Sequence, residues 1–98
     1  MKKIRAHVVI SGRVQGVYFR QSAFQKAVEL GLKGWVRNLS NKKVEAIFEG
    51  EENLVEKMIE WCKEGPSLAR VTHVEIDKQP CLDSFNDFSI KSTFYVGY

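Results

Sequence analysis

The sequence predicts an α+β fold, a split βαβ sandwich in which two helices cover one face of an antiparallel sheet. Two observations support this fold class. Strand-like alternation and helical spacing follow each other in the order strand, helix, strand, strand, helix, strand (βαββαβ). The 98 residues, 44% of them apolar and 28% charged, suit one compact core and are too few for two. We therefore expect a single domain over residues 1–98.

The first strand and the loop after it are marked by alternation and by glycine. Apolar residues occupy every second position from Ile4 to Ile10, which is the period of a strand with one buried face. Gly12 and Gly16 then flank a segment without a regular period, so the backbone is expected to bend tightly there. A helix is expected to start directly after this loop.

The central elements are two helices on either side of a hairpin. Apolar residues spaced by four, four and three positions over Phe19–Leu30 form one helical stripe, which Gly31 is expected to end. Gly34–Asn38 and Val44–Phe48 are short extended segments joined by a polar loop, which predicts an antiparallel hairpin. Glu51–Glu64 combines helical apolar spacing with an acidic first turn, as the helix dipole favours.

The C-terminal strands are less regular. Apolar residues over Ala69–Ile76 predict a fourth strand, and their alternation fails near His73, as a break of register would produce. Phe88–Ser92 begins a short fifth strand or the tail. The core is predicted to contain Val8, Ile10, Ala27, Leu30, Val36, Val44, Ala46, Phe48, Met58, Ile59, Val71, Ile76, Phe88 and Ile90.

Composition and charge restrict the class of protein. Fifteen basic and twelve acidic residues leave a net charge of +3, spread along the chain, which favours small anions only mildly. No segment approaches the roughly 18 consecutive apolar residues of a membrane span, and the N-terminal residues do not resemble a signal peptide. We expect a cytoplasmic protein with no membrane partner, in which Cys62 and Cys81 are reduced thiols.

The glycine loop is the strongest candidate for chemistry. A tight loop that leads into a helix directs several backbone N–H groups at one point, where the helix dipole also favours an anion. Arg20 falls in the first turn of this helix, and its guanidinium can bind a phosphoryl group through two parallel hydrogen bonds. By spacing alone, a simple strand-to-helix connection with a solvated arginine is equally compatible with these residues.

Several phosphate chemistries are disfavoured by the composition of the loop. It has no Gly-Lys-Ser/Thr ending, which a P-loop nucleotide hydrolase needs for the nucleotide and its magnesium ion. Nor does it have a cysteine for a covalent phosphocysteine intermediate. The two histidines, His7 and His73, do not have metal-ligand spacing with carboxylates, so we expect no metal site.

Two segments, Gly12–Arg20 and Leu30–Asn38, closely resemble the paired signature of the acylphosphatase family. Similar residues continue along nearly the whole chain, at Val44–Glu45, Gly50–Glu51, Gly65–Pro66, Ala69–Val71 and Phe88–Ile90. The resemblance implies a ferredoxin-like sandwich and an enzyme that hydrolyses a carboxylic-phosphoric anhydride to a carboxylate and inorganic phosphate. It also implies that no cofactor takes part.

The resemblance also implies roles for residues of this sequence. Arg20 matches the arginine that binds the phosphoryl oxygens, and Asn38 matches the asparagine that positions the attacking water. The backbone amides that match the phosphate cradle are those of Val14, Gln15, Gly16, Val17 and Tyr18. Without the resemblance, an asparagine at a strand end would be interpreted as a turn residue.

The chemistry of an acyl phosphate is compatible with these residues. The acyl part of the substrate leaves as a carboxylate whose conjugate acid has a pKa of about 4, so no proton donor is required at neutral pH. What remains is to hold the phosphoryl group, neutralise its charge and orient a water in line, for which arginine, amides and an asparagine suffice. Phosphate monoesters release a poorer leaving group and should be poor substrates.

Two other functions stay open at this point. A non-catalytic phosphate or anion sensor would keep the cradle and Arg20 but would not need Asn38. An RNA-binding module on the same sandwich would need basic and aromatic residues on its open sheet face, whereas the third strand carries Glu45 and Glu49. We expect a monomer that binds a small acyl phosphate, releases phosphate and binds no nucleic acid.

Two segments depart from the family pattern. The hairpin turn has Asn41–Lys42 where the family commonly has Asp-Gly. Asn41 can adopt a positive φ, whereas Lys42 is a less natural turn residue, and we expect catalysis to survive the change. The C-terminal segment Thr93–Tyr98 is longer and more aromatic than the usual family ending.

Overall fold

In the computed structural model, which describes residues 2–97, the strands and helices follow the order predicted from the sequence. The elements are β1 (Lys3–Arg13), α1 (Phe19–Glu29), β2 (Lys33–Asn38), β3 (Val44–Glu51), α2 (Glu52–Glu64), β4 (Arg70–Pro80) and β5 (Phe88–Ile90). The strands form one sheet in the order β4-β1-β3-β2-β5. Neither helix within residues 2–97 is long and apolar enough to cross a membrane.

The sheet is mixed, whereas the sequence predicts a wholly antiparallel one. β1 pairs antiparallel with β3 and β4, and β2 pairs antiparallel with β3. β5 is parallel to β2, with Gly34 opposite Phe88 and Val36 opposite Ile90. The difference arises because the chain reverses after β4 and crosses to the far edge of the sheet, where it runs in the direction of β2.

Most of the predicted core is buried between the helices and one face of the sheet. Leu30 and Val71 are only partly buried against it. Ile76 and Ile90 were wrongly predicted as core residues, because they lie on the two edge strands and are 39% and 42% exposed. Members of the buried core cluster missing from the prediction are Ile4, Ala6, Val14, Val17, Phe19, Ala23, Leu32, Val55 and Cys62.

The predicted break of register in β4 is confirmed. The pairing of β1 with β4 shifts after Ser11, so Thr72, next to His73, has no opposite residue on β1. Gly12 is required at this irregularity, since a Cβ there would lie 2.2 Å from the carbonyl oxygen of Arg70.

The end of α1 also matches the prediction. Gly31 has a left-handed φ of 70° and donates its N–H to the carbonyl of Val28 at 3.0 Å. The N–H of Leu32 reaches the carbonyl of Ala27 at 2.9 Å. This pair of bonds is the Schellman arrangement, which satisfies the last carbonyls of a helix and needs a residue that tolerates positive φ.

In the turn between β2 and β3, the residue with a strained, left-handed backbone is a lysine. Lys42 has a φ of 74°, and its N–H donates to the carbonyl of Leu39 at 3.2 Å. Asn41 instead accepts a hydrogen bond from the N–H of Lys43 through its side chain, at 3.3 Å. The positive φ therefore falls on the residue that tolerates it less.

The open face of the sheet carries ion pairs. Glu49 is 3% exposed and accepts hydrogen bonds from Arg5 Nε and from the N–H of Leu82, both at 3.0 Å. Glu45 binds His7 Nε2 at 2.7 Å and Arg37 at 2.7 Å. These contacts pair Glu45 and Glu49 of the third strand with basic groups.

Candidate active site

The loop between β1 and α1, residues 14–18, bends through two residues with positive φ. Gly16 has a φ of 74°, and Tyr18, the residue before the helix, has φ 64° and ψ 24°. Glycine adopts this conformation freely, but for tyrosine it costs about 1–2 kcal/mol. The Tyr18 side chain is 72% exposed, so little packing offsets this cost. Strain of this kind, held by the surrounding structure, is typical of a functional loop.

The N terminus of α1 has free hydrogen-bond donors. Its first helical hydrogen bond runs from the N–H of Ser22 to the carbonyl of Tyr18, at 3.0 Å. Among the described residues, none accepts a hydrogen bond from the backbone N–H groups of residues 15–21, and no side chain caps the helix. These donors and the helix dipole therefore favour an anion in front of the loop.

Arg20 is held at this end of α1 by its neighbour. Phe19 is 1% exposed and packs against Trp61 of α2, with the ring centroids 5.4 Å apart. Gly65 makes room for this ring, since a Cβ there would lie 2.6 Å from it. Anchoring Phe19 in the core fixes the first turn of the helix and with it the backbone position of Arg20.

Gln15 ties the loop to the hairpin. Its Nε2 donates to the carbonyl of Leu39 at 2.8 Å and to that of Lys43 at 2.9 Å. The family resemblance implies a role only for the backbone amide of Gln15. This side-chain role could not be predicted, because it depends on two strands that are brought to the loop by the tertiary fold.

One cavity of about 510 Å³ lies at the mouth of the loop. Its volume falls in the usual range of small-ligand sites, about 300–1,000 Å³. It is lined by Val14, Gln15, Gly16, Tyr18, Phe19, Arg20, Gln21, Asn38 and Ile90. Arg20 and Asn38, which come from separate signature segments, are thus brought together. Val17 is the one residue of the predicted cradle that does not line the cavity; its side chain lies in the core, and its predicted role concerns only its backbone amide.

Asn38 is the last residue of β2 and carries an unsatisfied polar atom. Its Oδ1 is the only buried side-chain nitrogen or oxygen in residues 2–97 without a hydrogen-bond partner. An unsatisfied buried acceptor costs about 1–3 kcal/mol. The backbone carbonyl of Asn38, by contrast, accepts a hydrogen bond from the N–H of Phe94 at 2.9 Å. The side-chain oxygen therefore has no partner in the protein, while the backbone is fixed.

The charges around the cavity suit an anion. Arg20 is the only charged residue among the described residues that line it. The histidines lie elsewhere: His7 is bound to Glu45 on the open sheet face, and His73 is exposed on β4. The lining residues thus supply a cation, backbone donors and neutral amides, but among residues 2–97 they include no carboxyl group, no histidine and no set of metal ligands.

The family model for acylphosphatase matches residues 6–90. The chain belongs to the acylphosphatase family. An acylphosphatase of Roseiflexus sp. is 53% identical over 90 residues, which cover 92% of this chain and 97% of the relative. An acylphosphatase of Pyrobaculum islandicum is 50% identical over 94 residues, covering 95% and 99%. A solved acylphosphatase structure from Coxiella burnetii shares 41% identity at a TM-score of 0.86, covering 92% of this chain and 94% of the other.

These similarities confirm three predictions from the sequence. The family is the one that Gly12–Arg20 and Leu30–Asn38 resemble. The fold is the predicted ferredoxin-like sandwich, as the solved acylphosphatase shows. The chain is therefore an enzyme of the acylphosphatase class.

Proposed function

We propose that this enzyme hydrolyses the carboxylic-phosphoric anhydride bond of small acyl phosphates by direct in-line attack of water, with neither a metal ion nor a covalent intermediate. The observation that carries the proposal is that Arg20 and the unsatisfied amide of Asn38 line one cavity. The family membership supports the same activity.

The phosphoryl group is held by the loop and by Arg20. Backbone N–H groups of Val14–Tyr18 donate to its oxygens, as does the guanidinium, which can bind two oxygens at once. These donors are in place before the substrate arrives, so they stabilise charge on the equatorial oxygens of the transition state without reorganisation. The positive φ of Gly16 and Tyr18 bends the loop that carries these amides.

Asn38 orients the attacking water. Its amide carries both donors and an acceptor, so it can hold a water in one orientation. Rotation about the last side-chain bond is soft in asparagine and brings the buried Oδ1 to the cavity, where the water donates to it. The departing carboxylate is already a stable anion and needs no proton, which fits a lining that, among the described residues, contains no carboxyl group or histidine.

A direct assay tests this function. Benzoyl phosphate and acetyl phosphate are offered to the protein in excess EDTA, with p-nitrophenyl phosphate as the monoester control. We expect rapid turnover of both acyl phosphates, little turnover of the monoester and competitive inhibition by inorganic phosphate. Binding of phosphate with acyl phosphate decay at the uncatalysed rate would instead identify an anion sensor. A rate that EDTA abolishes would contradict the metal-free mechanism.

We also propose that the enzyme works as a cytoplasmic monomer on small molecules and binds no nucleic acid. Two of the arginines on the open sheet face are already paired, Arg5 with Glu49 and Arg37 with Glu45. The surface that would have to contact RNA phosphates is therefore largely neutralised.

A further inference from the structure

The residues that follow β5 form a segment, residues 91–97, which we call the C-terminal strap. It continues alongside β2, toward the end of the strand that carries Asn38. The N–H of Lys91 donates to the carbonyl of Val36, and the N–H of Phe94 donates to that of Asn38, both at 2.9 Å. The segment that matches the acylphosphatase family model ends at residue 90, so the strap lies outside the match.

The strap also binds the start of the hairpin turn. The carbonyl of Phe94 accepts a hydrogen bond from the N–H of Ser40 at 3.0 Å, and Ser40 Oγ accepts one from the N–H of Val96 at 2.8 Å. Leu39 and Phe94 form a parallel bridge. The strap is thereby attached on both sides of Leu39, at the end of β2 and in the turn.

Side chains fix the strap to the open face of the sheet. The guanidinium of Arg37 lies 4.4 Å from the centroid of the Phe94 ring and 4.5 Å from that of the Trp35 ring. Such cation–π contacts are worth about 0.5–1 kcal/mol each at exposed sites. Arg37 is held in turn by Glu45, at 2.7 Å. The strap therefore has a defined position despite the exposure of its outer residues.

We propose that the C-terminal strap is a positioning element that fixes the backbone of Asn38, so that its amide holds the attacking water in line. This inference rests on the proposed function. Asn38 is the last residue of β2 and pairs with Val44 of β3 on one side, while the strap binds its carbonyl on the other. A misplacement of about 1 Å at a reacting centre can cost roughly a hundredfold in rate. Arg20 and the loop make no hydrogen bond to the strap within residues 2–97, so phosphate binding should depend on it far less.

Three variants of the full chain separate these effects. Phe94→Pro removes the N–H that donates to the carbonyl of Asn38. Phe94→Ala keeps that N–H but removes the ring that contacts Arg37. Tyr95→Ala changes an exposed side chain and is the control. The kcat for benzoyl phosphate and the inhibition constant of phosphate are measured well below each melting temperature. A chain that stops after Ser92 retains residues 6–90 and serves as a second test if Phe94→Pro folds poorly.

We expect Phe94→Pro and the shortened chain to lose roughly fivefold or more in kcat, with the phosphate inhibition constant within about twofold of the full chain. Phe94→Ala should lose less, and Tyr95→Ala should be unchanged. The proposal is overturned if Phe94→Pro and the shortened chain both keep the full kcat, or if they lose kcat and phosphate affinity in equal measure. It is also overturned if neither of these two variants folds. A full chain that binds phosphate without turnover would refute the proposed function itself, and the strap's role with it.

Discussion

Arg20, in the first turn of α1, and Asn38, at the end of β2, line the same cavity from two different elements. Phe19 anchors the helix turn that carries Arg20, and Gln15 joins the loop to the hairpin that carries Asn38. A cation and a neutral amide thus share one cavity, and in the proposed function the first binds the phosphoryl group and the second orients the water. The two residues should therefore affect different kinetic constants.

Arg20→Gln should lose about a hundredfold to a thousandfold in kcat/KM for benzoyl phosphate, because a charged donor to the transition state is removed. Inhibition by phosphate should be lost as well, while circular dichroism and melting temperature stay near those of the unmodified chain. Lys26→Gln removes the same charge from the far turn of α1, where the lysine pairs with Glu29 at 3.2 Å, and should leave turnover intact. Full activity of Arg20→Gln would exclude the phosphoryl-binding role.

Asn38→Ala should lower kcat by at least about tenfold and leave the inhibition constant of phosphate nearly unchanged. Stability should not fall and is expected to rise slightly, because the substitution removes the unsatisfied Oδ1. Steady-state kinetics and urea unfolding measure the two effects, with Asn53→Ala on the exposed surface of α2 as the control. Weakened phosphate inhibition with an unchanged kcat would show that Asn38 binds the anion instead of orienting water.

Acid should destabilise the protein through Glu45. Its burial raises the pKa of this carboxyl, but hydrogen bonds from His7 and Arg37 outweigh burial and hold the pKa below the usual 4.5. A group with a depressed folded pKa contributes stability above its unfolded pKa and loses it as the pH falls through the folded pKa. Glu45→Gln should therefore be less stable at neutral pH but lose less on acidification.

Urea unfolding at several values between about pH 3 and 7 checks this prediction. Glu75→Gln, an exposed carboxyl on β4, is the matched control and should keep the acid dependence of the unmodified chain. Burial likewise raises the pKa of Glu49, but hydrogen bonds from Leu82 and Arg5 outweigh burial, so the net pKa is lowered. Because Glu49 is still present in Glu45→Gln, that variant should keep some acid dependence of its stability. An unchanged pH profile in Glu45→Gln would contradict the assignment.

Lys42→Gly should raise the free energy of unfolding by about 0.5–1 kcal/mol, because glycine relieves the left-handed φ of 74° at this turn position. Asn41→Gly should lower the free energy of unfolding, because it increases the entropy of the unfolded chain and removes the hydrogen bond from the N–H of Lys43. Denaturant unfolding of both variants gives the comparison, and turnover should not change in either. A loss of stability in Lys42→Gly would show that the turn does not store this strain.

The sequence predicts those features that depend on local pattern. The alternation from Ile4 to Ile10, the glycine at the end of α1 and the break of register near His73 each follow from the geometry of one element. The pair of site residues is predictable only through the resemblance to the family, because spacing leaves Arg20 and Asn38 with ordinary structural interpretations.

The features that could not be predicted depend on the tertiary fold. Ile90 looks like a core residue by alternation, yet it ends an edge strand and lines the cavity. The hydrogen bonds from Gln15 to the hairpin and from Phe94 to Asn38 join residues whose proximity no local pattern shows. Tyr98, the last aromatic residue of the C-terminal segment, lies outside the described residues.

Hydrolysis of benzoyl phosphate in ¹⁸O-labelled water, in the presence of EDTA, tests the central mechanism most directly. Attack of water on a phosphoryl group held by Arg20 and the loop places the label in inorganic phosphate and leaves the benzoate unlabelled. Mass spectrometry of both products should show this result at a rate far above that of the uncatalysed reaction. Label in the benzoate would mean that water attacks the carbonyl carbon, which contradicts the proposed mechanism.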